Sequence, residues 1–102
     1  MNKYDEGVAL DAKGIRLLDK GAHTKVKGKK LLVEGENAYR QGSALRRMWQ
    51  NKEGNKLRRL GRDLLAEGKK IYAQGIAEIV EGRRMRSEAA ILIDEANEEM
   101  MS

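Results

Sequence analysis

The chain has 102 residues, 36% of them charged and 4% aromatic, with a formal net charge of +5 and no cysteine, proline or phenylalanine. That profile excludes a disulfide framework and a thiolate metal site, and it fits a long-helix protein better than one built on a large apolar core. His23 is the single histidine, and Ser43, Ser87 and Ser102 have no base placed beside them, so neither a catalytic triad nor a metal or other cofactor is expected and the chain reads as non-enzymatic.

The opening residues Met-Asn-Lys-Tyr-Asp-Glu lack the apolar stretch of a secretion signal, and no apolar run approaches a membrane span. Together with the missing cysteines this predicts a soluble, cytoplasmic protein. Asn2 is placed to cap the first helix, with Asp5 three residues on.

From there glycine recurs every seventh residue: Gly7, Gly14, Gly21, Gly28, Gly35 and Gly42. Seven residues are two turns of a supercoiled helix, so the series runs as a stripe down one face. Leu10, Leu17, Leu31 and Leu45 flank it on one side, and Tyr4, Leu18, Leu32 and Tyr39 on the other. The result is a groove floored by bare backbone and walled by large side chains. Each helical glycine costs about 1 kcal/mol relative to alanine, and close approach of a second helix is what can offset that cost. The first helix is predicted over about residues 3–49.

Asn51-Lys52-Glu53-Gly54-Asn55 then breaks the phase, predicting a turn at about 50–55 with Asn55 as the next cap. A second helix, about 56–99, carries Gly61, Gly68, Gly75 and Gly82 with Leu57, Leu64, Ile71, Met85 and Leu92 alongside. Folding the chain at its midpoint pairs Gly42 with Gly61, Gly35 with Gly68, Gly28 with Gly75 and Gly21 with Gly82. The same fold sets Gly14 against Ala89, Gly7 against Ala96 and Trp49 against Gly54, although the loop alone does not fix the register. Thr24 and Glu78 interrupt the stripes. Val26, Val33, Ala66, Ala73 and Val80 form a second, modest apolar strip on another face. The fold expected is all-α: one domain over 1–102, a long antiparallel two-helix hairpin of the Gly-heptad coiled-coil kind, assembling through that strip into a helical bundle.

Charge is uneven along the chain. Residues 25–73 hold fourteen Lys/Arg against five Asp/Glu, whereas residues 74–102 hold three against seven. In a hairpin the turn end is therefore basic, through Arg46, Arg47, Lys52, Lys56, Arg58, Arg59 and Arg62, and it is the candidate site for an anionic partner. Trp49 sits there, either closing the end of the groove by burial or stacking on a base amid the arginines.

In length and in its central tryptophan the chain is similar to the Trp-x-Gly secretion partners, but it reads Trp49-Gln-Asn-Lys-Glu-Gly54. In its alternation of small and large core residues it is similar to the small RNA-binding hairpin dimers of the Rop kind. No motif transfers from either. The function expected is that of an interaction or assembly protein that self-associates or docks on a partner protein, its basic tip engaging an acidic surface. The alternative is a small RNA- or DNA-binding hairpin using the same tip; membrane binding is disfavoured by the narrow, interrupted stripe, and no small-molecule substrate is expected.

Overall fold

The computed structural model describes residues 2–102. Two helices form a hairpin: α1, Lys3–Arg47, and α2, Asn51–Met101, joined by residues 48–50. No strand occurs among the described residues. The capping expected of Asn2 is present, its side-chain oxygen accepting from the Asp5 backbone N–H at 2.8 Å.

α1 ends in a Schellman motif. The Gln50 N–H donates to the Leu45 carbonyl at 2.9 Å and the Trp49 N–H to the Arg46 carbonyl at 3.1 Å. This places the turn at 48–50 rather than 50–55. α2 starts four residues earlier than Asn55, which lies inside the helix and caps nothing.

The earlier turn moves the register by one heptad. Gly42 faces Gly54, Gly35 faces Gly61, Gly28 faces Gly68, Gly21 faces Gly75, Gly14 faces Gly82, and Gly7 faces Ala89. The expected pairing of Gly42 with Gly61 and its successors is thus corrected. The reason lies in the glycine count: the expected register sets Gly54 against the bulk of Trp49, whereas the observed one gives all eleven glycines a small residue opposite. All eleven are buried. The twelve-residue step from Gly42 to Gly54 is the hairpin turn itself, measured from one paired glycine to the next.

Contacts divide the chain into two compact units. The turn unit is Thr24–Gln74. Here the backbones meet almost directly. A methyl group placed on Gly28 would lie 2.5 Å from the Tyr72 backbone nitrogen, and one on Gly42 would lie 2.6 Å from the Gly54 carbonyl oxygen. The residue four places after each glycine packs over the bare backbone of the opposite helix: Tyr39 over Gly61, Leu65 over Gly35, Leu32 over Gly68, and Tyr72 over Gly28. Ala38 is the buried apolar side chain of this unit.

The terminal unit is Met1–His23 with Gly75–Ser102. Ile93 packs over Gly7, Ile79 over Gly21 and Leu18 over Gly82, and the aliphatic stem of Arg86 crosses Gly14 before its guanidinium reaches Asp11 at 3.0 Å. Ala89 and Ala96 are buried, so alanine takes over from glycine toward the end of the stripe. Lys3 pairs with Glu99 at 2.6 Å and Glu95 at 3.5 Å, and these carboxylates raise its pKa above the usual lysine value. Glu78 takes the place of a groove-wall leucine. Its side chain is 11% exposed, one oxygen lies 3.4 Å from the Lys20 ammonium, and Oε1 is buried without a hydrogen-bond partner.

Val26, Val33 and Val80 of the second apolar strip are exposed, as are Val8, Ile15 and Ile76. Among the described residues no helix is long and apolar enough to cross a membrane.

Candidate anion-binding site at the turn

In the turn unit the pattern of one side chain over each glycine continues to the last pair, where both packing residues are arginines. The Arg58 stem crosses Gly42 and the Arg46 stem crosses Gly54; a methyl on either glycine would lie within 2.7 Å of the stem's Cγ. Leucine, isoleucine or tyrosine fills the equivalent place at several other pairs. Arginine satisfies the same packing with its methylenes while carrying its charged head past the groove edge. Two guanidinium groups are thereby delivered to the turn on clamped stems.

Arg58 is held further by Tyr39. Its Nη2 donates to the phenol oxygen at 2.5 Å, and its guanidinium lies over the ring at 4.8 Å from the centroid. Arg62 lies over the same ring at 5.8 Å. The hydrogen bond from Arg58, with the charges of both arginines, lowers the Tyr39 pKa below the usual phenol value. The Arg58 Nε is buried and has no hydrogen-bond partner.

Two clefts share these arginines. Arg46, Asn55, Arg58, Arg59 and Arg62 line one, and Ser43, Arg46, Arg47, Asn51 and Arg58 line the other. No carboxylate lines either cleft. The expected residues Arg46, Arg47, Arg58, Arg59 and Arg62 are therefore brought together. Lys52 and Lys56 are exposed on the first turns of α2 and line neither cleft. Sequence reasoning missed Tyr39 as the support of Arg58, and Ser43, Asn51 and Asn55 as neutral partners in the cleft walls. It also left Gly54 out of the groove. The signal for Gly54 was present in its spacing of seven from Gly61, and that for the packing of the Arg58 stem in its spacing of four from Gly54.

Trp49 does not close the groove. It is 89% exposed, with φ of 66°. The Schellman motif makes Trp49 the left-handed residue that ends the helix, a place usually held by glycine. The Gly42–Gly54 pair fills the groove end in its stead. Met48, beside it, is 65% exposed.

Among the described residues no group of histidine, cysteine, aspartate or glutamate side chains could hold a metal ion. His23 is exposed on α1, 3.8 Å from Asp19. No family model, curated protein or solved structure matches the chain.

Proposed function

We propose that this chain is a non-catalytic interaction protein whose turn unit holds an acidic partner surface. The observation that carries this reading is the pair of carboxylate-free clefts built on Arg46 and Arg58, whose stems are fixed by Gly54 and Gly42. Fixed stems lose less side-chain entropy when they bind, so charge presented this way is worth more than charge on free lysines. The fourteen basic against five acidic residues of the unit add long-range attraction.

The test is binding of polyphosphate, followed by anisotropy over a range of salt. Affinity should fall steeply with salt, in proportion to the number of anions neutralised. The variant Arg46→Met/Arg58→Met keeps the packing of the stems and removes both charges, so it should bind at least about tenfold more weakly, the equivalent of about 1.4 kcal/mol. Absence of binding at ~50 mM salt would end this reading.

A second reading, self-association, draws support from the exposed Val26, Val33 and Val80. A bundle of two hairpins buries such a strip. Sedimentation equilibrium tests it: a concentration-dependent rise in mass is the expected result, and a monomer at all concentrations refutes it.

A further inference from the structure

We infer that the acidic partner is a single-stranded nucleic acid, with a base stacked on Trp49 and its phosphates seated in the two arginine clefts. The inference rests on the polyanion reading above and adds to it the chemistry of the bases.

Three observations converge at the turn. First, Trp49 presents its side chain almost wholly to solvent from a backbone with φ of 66°. A side chain other than glycine's costs about 1–2 kcal/mol in that conformation. The residue gains no burial in return, in a chain that places glycine at eleven other positions. An aromatic kept in a strained, exposed place points to use outside the molecule.

Second, Trp49 stands between Arg47 and Asn51 in the chain, and both of these line the second cleft. Trp49 itself lines neither cleft, but two residues of chain, at most about 7 Å, separate its backbone from those of Arg47 and Asn51, a span on the scale of one nucleotide. A base on the indole would bring its own phosphate to the cleft walls. The shared residues Arg46 and Arg58 then link that cleft to the next, which suits successive phosphates of one strand.

Third, the cations in the clefts are arginines rather than lysines. A guanidinium offers several donors in a planar fork that matches phosphate oxygens. Asn51, Asn55 and Ser43 supply neutral donors for the remaining oxygens. A duplex keeps its bases stacked on one another and out of reach of the indole, so the single strand is the form that fits.

Trp49 is the single tryptophan of the chain, so its fluorescence reports the contact directly. Titration with an oligo(dT) of about 12 nucleotides, within the usual site sizes, should quench it strongly. Polyphosphate should bind without comparable quenching. Trp49→Gly removes the ring and relieves the strain, so any loss of binding in that variant is not unfolding. It should bind oligo(dT) about tenfold more weakly and polyphosphate unchanged, and Trp49→Phe should recover most of the loss. If oligo(dT) and polyphosphate bind with equal affinity and Trp49→Gly alters neither, base stacking is refuted while the polyanion reading stands. A duplex that binds as tightly as the single strand refutes it likewise. If neither ligand binds, both readings fall together.

Discussion

Two side chains at the turn show how one residue can be set by opposing demands. Trp49 holds the left-handed position of the helix-ending motif, where glycine is free of strain. Replacing it with glycine should stabilise the fold by about 1 kcal/mol, read as a higher melting temperature; a lower one would show that the ring packs on the protein in solution. Tyr39 makes a second, spectroscopic test. Its phenol is pulled down by the hydrogen bond from Arg58 and by the charges of Arg58 and Arg62. Phenolate absorbance should therefore begin to rise at a lower pH than for an unperturbed phenol, and Arg58→Met should move that component upward. The sign for stability follows, because the guanidiniums favour the ionised phenol. Ionisation adds stability only as pH rises past the phenol's folded value, and at neutral pH it adds none.

At the scale of the helices, the glycine stripe reverses a familiar preference. In an isolated helix Gly→Ala is favourable by about 1 kcal/mol. At Gly28 the added methyl would meet the Tyr72 backbone, which cannot swing aside as a side-chain tip can. The resulting overpacking costs about 1–3 kcal/mol and exceeds the gain in propensity. Gly28→Ala should lower the melting temperature, whereas alanine in place of an exposed polar residue should not. Glu78 offers the opposite case. Its column otherwise carries Leu57, Leu64, Ile71, Met85 and Leu92, and its Oε1 is buried unpartnered. Glu78→Leu should raise stability, because it removes a buried oxygen without a hydrogen-bond partner while the Lys20 ammonium it faces is largely exposed, with thermal unfolding as the measurement. The two stripes, the hairpin and the basic turn were all legible in the sequence, because a seven-residue period in glycine has few other physical explanations. The register was not. Along most of the stripe small residues meet small ones in either of two registers one heptad apart; only the observed one spares Gly54 the bulk of Trp49, and the helix end at Arg47 selects it. That end is set by a tryptophan in a glycine's place, and no propensity rule would put it there. For the same reason Trp49 was read as buried in one alternative.

For the molecule as a whole, charge and exposed apolar surface lie in different relations to the fold. The basic residues concentrate in the turn unit, and the terminal unit holds the acidic Glu78, Glu81, Glu88, Asp94, Glu95, Glu98 and Glu99. Association driven by these opposite charges should weaken with salt, whereas association through Val26, Val33 and Val80 should persist. Mass measured at low and high salt separates the two. A thermal consequence follows from the small size of what is buried. Among the described residues the buried apolar side chains are Ala38, Ala89 and Ala96, and no large side chain is fully enclosed. The large groove-wall side chains are only half-buried, so unfolding an isolated hairpin exposes less hydrocarbon per peptide group than unfolding a domain with a large core, and water's heat capacity responds to the two with opposite sign. Calorimetry on dilute protein should give an increment well below the ~1.2–1.5 kcal/mol/K ordinary for a hundred residues. Stability would then vary little between cold and warm, a broad plateau where most small domains show a pronounced dome.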